Sequence, residues 1–154
     1  MRMICKRRLW SLVGSYEFYD EFDRLLYTAK GKFKHGRYFE IYDSDMKKVA
    51  VIKQRLFRIM YCFDVYMNDE YIGKIKRKFR PIDLKYVFDY KKWSASVIKL
   101  HTEVLDCNGN TTVDILLDQG HLTENYIVDV ADEKDTIYAA MITSVFDSVT
   151  TFFG

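Results

Sequence analysis

Proline is almost missing from this chain and glycine is sparse: one and seven in 154 residues. That leaves no room for a flexible linker or a low-complexity segment, so residues 1–154 are expected to form one domain. Cysteine is scarce as well. Cys5, Cys62 and Cys107 are odd in number, widely spaced and without a C-x-x-C, which argues against a disulfide framework and fits free thiols in a reducing compartment. The opening MRMICKRRLW is basic but holds no apolar run of signal-peptide length, so a cytoplasmic location is expected. Also lacking are a nucleophile elbow, a Gly-rich phosphate loop before a helix and an H-E-x-x-H. His35, His101 and His121 stand far apart without metal spacing. Asp43-Ser44-Asp45 lacks the Gly and distal Glu of a calcium loop and reads as a turn. Neither catalysis, a metal nor a cofactor is expected.

What the chain does have is apolar content of 49% against 30% charged residues, the balance of a soluble globular protein. One stretch breaks the general alternation. From Thr136 to Phe153, Ile137 to Ile142 are consecutive apolar residues, and Val145, Phe146 and Val149 follow at helical spacing. Asp132-Glu133-Lys134-Asp135 supplies a helix start, with carboxylates where a helix N-terminus favours them. A helix apolar on nearly every side must be enclosed by protein or by lipid. Its 18 residues would reach about 27 Å, marginal for a membrane span. Asp147 and several hydroxyls weigh against lipid. The expectation is a helix enclosed by the rest of the chain, with Asp147 meeting water at its far end and no transmembrane segment.

The remainder reads as strands. Tyr16-Glu17-Phe18-Tyr19-Asp20, Phe39-Glu40-Ile41-Tyr42-Asp43 and Phe63-Asp64-Val65-Tyr66-Met67 recur, with Tyr86-Val87-Phe88-Asp89-Tyr90 as a looser copy. Ala29 to Phe33, Ile52 to Leu56 and Ile75 to Phe79 form a second repeating element between them. Each period holds two alternating segments around a turn, the signature of successive β-hairpins. Three copies followed by different strands and a helix fit a meander closing on itself better than a propeller. Alternation sends Tyr16, Phe18, Phe39, Ile41, Phe63 and Val65 inward. It also sends Ala29, Ile52 and Ile75 inward, with Phe33, Leu56 and Phe79. Glu17, Glu40 and Asp64 then face out, as do Lys30, Lys53, Lys76, Lys32, Arg55 and Lys78. Acidic strands would alternate with basic ones, each opposite pair contributing about 0.2–1 kcal/mol. Further on, Ser94 to Asp106 holds one or two strands, Asn108-Gly109 marks a tight turn, and Thr111 to Leu117 and Tyr126 to Val130 are strands.

The run KGKF, HGRYFEIYD, KKVAVIKQRLF and YCFDVYMNDEYIGKIKRKF, closed by YIVDVADEKDTIYAAMITSVFD, resembles the LURP-one-related (YxjI-like) family over roughly residues 5 to 150. That family belongs to the tubby C-terminal-like superfamily, which includes the phospholipid scramblases. The resemblance implies a mainly β fold: a closed antiparallel barrel of about twelve strands around a central C-terminal helix. It also implies a connection to phosphoinositides and membrane lipids through those relatives. The chain departs from its bacterial relatives at Asp114 to His121, acidic here where they carry a basic, aromatic element.

Charge supplies the candidate site. Residues 101–154 hold ten acids and one base, so the first hundred carry a net charge of +11. Lys74, Lys76, Lys78 and Arg80 share one face of a single strand. Lys34-His35-Gly36-Arg37 places two more cations in a turn whose backbone N–H groups can face a phosphate. Such an array suits anionic phospholipid headgroups, with about 1 kcal/mol per base near the surface. Two other readings compete: lysines protecting a sheet edge, and cations neutralised by acids on neighbouring strands. In those cases the protein would be a protein-interaction or structural module without a small-molecule ligand. Nucleic acid is not expected as a partner, because the aromatics alternate inward rather than forming a stacking platform.

Overall fold

The computed structural model describes residues 1–8, 13–78, 84–98, 101–118 and 125–150. Twelve strands form a closed antiparallel barrel in sequence order. They are β1 (Arg2–Arg8), β2 (Ser15–Tyr19), β3 (Leu25–Phe33), β4 (Arg37–Asp43), β5 (Lys48–Gln54) and β6 (Cys62–Met67). Then follow β7 (Glu70–Lys78), β8 (Leu84–Phe88), β9 (Trp93–Ile98), β10 (His101–Leu105), β11 (Thr111–Asp118) and β12 (Asn125–Val130). β1 pairs with β12, Ile4 opposite Ile127, and this pairing shuts the wall. The stretch from Ser94 to Asp106 therefore holds two strands, and the hairpin period of the sequence is the meander itself.

Alternation gives the wall its two faces. Tyr16, Phe18, Phe39, Ile41, Phe63, Val65, Ala29, Ile52 and Ile75 are all fully buried, as their phase predicts. Phe33 and Leu56 are not: they are 73% and 43% exposed. Both carry the inward phase, but they lie at or beyond the ends of β3 and β5, past the part of the wall that closes around the core. Phe79 lies outside the described residues.

The core is completed by α1 (Thr136–Thr150), which follows a 3-10 turn at Glu133–Asp135 capped by the Asp132 carboxylate. Ala139, Ala140, Met141, Ile142 and Val145 have no exposed surface, and burying side chains the size of Met141, Ile142 and Val145 stabilises by about 1.5–3 kcal/mol each. Phe146 packs on Tyr86 at 4.5 Å between ring centres, and Tyr138 stacks on Tyr90 at 5.6 Å. The described hydroxyls that argued against lipid need nothing from the wall. Thr143 and Ser144 donate to the carbonyls of Ala139 and Ala140 at 2.8 Å, so they are satisfied inside their own helix.

Asp147 corrects the sequence-based expectation. It does not meet water: the residue is 3% exposed. The Tyr16 hydroxyl donates to it at 2.6 Å, the Tyr126 hydroxyl donates to its other oxygen, and Arg7 Nε lies 3.3 Å away. Burial, with the Asp147 charge beside it, holds the Tyr16 phenol well above its ordinary value, so it stays a donor. The same two causes raise the Cys5 thiol, which keeps it unreactive.

Since neighbouring strands run oppositely all the way round, the two ends of the barrel collect different connections. Those after even-numbered strands, with the helix N-terminus, share one end and include Asp20, Asp43, Asp69, Asp89, Asp106 and Asp132. The connections after odd-numbered strands share the other end. Among the described residues these are 13–14, 34–36 and 55–61, holding Lys34, His35, Arg55 and Arg58 and no carboxylate, with Asp118 at the end of β11 as the nearest strand-terminal acid.

Asp147→Ala removes the carboxylate that Arg7, Tyr16 and Tyr126 address. It is expected to lower stability by about 3–5 kcal/mol, read as a fall in the urea midpoint with an unchanged slope.

Candidate functional site

The exterior sorts its cations into three groups. Some are paired across strands. Lys32 Nζ lies 2.5 Å from Glu40, Arg55 Nε lies 2.7 Å from Asp64, and Arg8 lies 3.1 Å from Glu17. Others lie over tyrosine rings: Lys30 over Tyr42 at 4.8 Å and Lys53 over Tyr66 at 5.0 Å. These rings stand on the outer face, so beside the inward core set Tyr38, Tyr42 and Tyr66 put aromatic surface outside, each capped by a lysine. The third group is on β7. Lys74, Lys76 and Lys78 point outward on one face, as the alternation predicts, and make no ion pair among the described residues.

Register explains why β7 differs. On β6, Lys74 stands opposite Asp64, but that carboxylate already holds Arg55; Lys76 stands opposite Cys62, which is neutral. On β8, Lys76 faces Val87 and Lys78 faces Lys85. Like charges directly opposite in a sheet are destabilising. β7 is also held firmly in place. Gly73 has φ of +146°, and a Cβ there would lie 2.2 Å from Asp89 Oδ1, which accepts the Lys74 N–H at 2.5 Å. Only glycine permits that approach. Arg80 lies outside the described residues.

The Lys34–Arg37 turn sits at the same end but is more committed than its sequence suggests. The Lys34 N–H donates to the Gly36 carbonyl at 2.9 Å, and the Arg37 N–H donates to Gln54 Oε1 at 2.9 Å. The Arg37 guanidinium lies over the Tyr61 ring at 5.3 Å, whereas Lys34 is exposed with its ammonium over Tyr38 at 5.2 Å. Behind them burial pushes the Tyr86 phenol up to about 12, against the opposing pull of Arg77 and Arg37.

Between this turn and β7 runs the connection from β5 to β6. Its base is closed by the Arg55 N–H donating to the Cys62 carbonyl at 2.8 Å. Phe57, Arg58, Ile59 and Met60 fold beside Cys62, Lys74 and Lys76 around an open cleft of about 470 Å³. Phe57 and Ile59 are fully exposed, at 102% and 100%. Phe57 also has φ of +61°, a conformation costing about 1–3 kcal/mol for a bulky residue. Phe57, Ile59 and Met60 carry no mark of exposure in the sequence, since an apolar run beside the inward-phase Leu56 looks like core. The available signal was a connection with no Gly, Pro, Asn or Asp where a turn was due.

Other candidates resolve into structure. Asp43 Oδ1 accepts the N–H groups of Asp45 and Lys47 at 3.0 and 2.9 Å, making it a turn-closing group. His35 is an exposed turn residue, His101 hydrogen-bonds Asp114 on the outer wall, and His121 lies outside the described residues. Among the described residues no helix is long and apolar enough to cross a membrane.

Two outcomes are expected from this charge layout. Lys78→Glu sets an opposite charge against Lys85 and should raise thermal stability by about 0.2–1 kcal/mol at low salt. Glu40 is one acid-sensitive member of the wall: the Lys32 hydrogen bond, with Tyr42 and the Lys32 and Lys48 charges, holds its carboxyl below the usual value of 4.5. A depressed folded-state value means stability present above 4.5 and lost as pH falls through the lowered value. Glu40→Gln should flatten that part of a urea-midpoint-against-pH curve.

A family model described as LURP-one-related matches residues 1–147. No curated protein and no solved structure matches the chain. With its matched region running from β1 through Asp147 of the enclosed helix, the chain belongs to the LURP-one-related family.

Proposed function

We propose that this protein is a non-catalytic module that binds anionic phospholipid headgroups at a membrane surface from the cytoplasmic side. Lys74, Lys76 and Lys78 are the main contacts. Lys85 completes the patch, and Lys34 and Arg37 lie at the end of the barrel toward which β7 runs from Lys74 to Lys78. Arg80, next on the same strand face by sequence, is assigned to the patch on that ground alone.

The observation that carries this reading is Lys78 set directly opposite Lys85, beside Lys74 and Lys76 without an ion pair among the described residues. Edge protection does not account for these lysines, because a closed barrel has no edge and β7 is paired on both sides. Cross-strand neutralisation accounts for Lys32 and Arg55 but not for them. An anionic surface relieves the repulsion that the wall itself leaves standing.

The test is flotation with phosphatidylcholine vesicles containing graded amounts of phosphatidylserine. Binding should rise with anionic content and fall with added salt. At about 1 kcal/mol per base, each of Lys74→Ala, Lys76→Ala and Lys78→Ala should weaken it about fivefold. Lys78→Glu should weaken it more while leaving the protein at least as stable. Binding indifferent to salt and to the combined Lys74→Glu, Lys76→Glu and Lys78→Glu variant would reject the lipid reading in favour of a protein-interaction or structural module.

A further inference from the structure

The lysine patch lies beside the most exposed apolar residues of the described chain. Phe57 and Ile59 have essentially their whole side chains in water, and Leu56 and Phe33 on the same end are 43% and 73% exposed. At the opposite end the largest exposed ring, Phe22, lies against the Arg24 guanidinium at 5.2 Å. Phe57 is held out by a left-handed backbone that an aromatic residue rarely adopts. The connection could relax by folding the ring onto the wall, yet the ring projects. Adjacent turns fix the base of this projection: a Cβ on Gly36, whose φ is +111°, would lie 3.1 Å from Leu56 and 3.3 Å from Gln54.

We propose that the β5–β6 connection is a membrane-insertion finger, with Phe57 and Ile59 entering the interfacial and upper acyl region of an anionic bilayer. The inference rests on the headgroup reading and specifies it further: the ligand is a bilayer, not a soluble headgroup, and the barrel docks with this end down. Charge complementarity selects the occupant. The apolar tip is bordered by Lys74, Lys76 and Arg58, and the described connections at this end hold no carboxylate. A neutral apolar partner groove would have no use for that border, whereas cations around an apolar wedge match the headgroup layer around the acyl layer. The acidic turns then lie at the far end, away from the negative surface.

Two measurements test this. The first uses Ile59→Cys in a Cys62→Ala, Cys107→Ser background, labelled with an environment-sensitive NBD dye. On phosphatidylserine-containing vesicles its emission should shift to the blue and be quenched by doxyl-labelled acyl chains. The same dye on Cys107, exposed in a turn at the opposite end, should stay aqueous. The second uses Phe57→Ser with Ile59→Ser. This double variant should lose about tenfold or more in vesicle affinity while its elution from a heparin column, which reads the cations alone, is unchanged. Vesicle binding with the dye still aqueous, or a double variant that binds as the parent does, overturns the finger and leaves the headgroup reading standing. No vesicle binding by the parent overturns both. Self-association of the parent in lipid-free buffer that the double variant abolishes, without an effect on vesicles, assigns the tip to a second copy instead.

Discussion

The structure depends on a carboxylate taken out of water. Asp147 sits in the enclosed helix, and removing such a group from solvent is tolerable only where charge and hydrogen bonds replace hydration. Its partners come from three strands: Arg7 from β1, Tyr16 from β2 and Tyr126 from β12. Those are the strands at which the sheet meets itself. The pairing of β1 with β12 joins residues more than a hundred positions apart, which is the costliest closure in the molecule. The helix thus does two things at once: its apolar surface fills the tube, and its one buried charge fixes its depth and rotation against the seam. At the other end the Tyr27 hydroxyl on Thr136 and Lys91 on Asp135 hold the entry of the helix.

Filling the tube also constrains where function can reside. A barrel of this kind without its helix would offer an interior to an apolar ligand. With Met141, Ile142, Val145 and Phe146 in place, the chemistry available to partners lies on the outer wall and the two ends. Closure acts on the wall as well. With every strand paired on both sides, outward lysines lose the protective role they would have on an open sheet, so a run of them needs another account.

Much of this was legible in the sequence, and the failures have physical causes. The hairpin repeat and the alternation of Tyr16, Phe39 and Phe63 are local, period-two signals that survive without tertiary information. Phe33 and Leu56 had the correct phase and the wrong environment, because phase reports which side a residue faces and not where the plug ends. Asp147 looked solvated because everything that keeps it buried is distant in sequence except Tyr126, which lies 21 positions away. The division into a basic first hundred residues and an acidic remainder was real, but the fold re-sorts it. An antiparallel meander deals alternate connections to opposite ends, so among the described connections the polarity runs along the barrel axis rather than along the chain. The apolar connection at Phe57 could not be told from core, since composition carries no information about exposure.

Stability and placement disagree at the basic end of this molecule, as they also do where Asp114 stands opposite Glu103 and Asp129 on the outer wall and where Met46 takes a left-handed backbone at the other end. At the acidic end, carboxylates such as Asp20, Asp43 and Asp106 close their own turns by accepting backbone N–H groups, so charge there serves the fold. At the basic end, Lys78 faces Lys85 and Phe57 holds a left-handed backbone while fully exposed. Each feature lowers the stability of the isolated protein, and neither is required by closure, since β7 and the β5–β6 connection could pair and turn with ordinary residues. Local choices that oppose the fold while the rest of the sequence supports it tend to gather where a protein meets something else. The cation repulsion calls for anions and the exposed ring calls for an apolar phase. On the proposed reading, a phospholipid surface would supply both within the thickness of one leaflet.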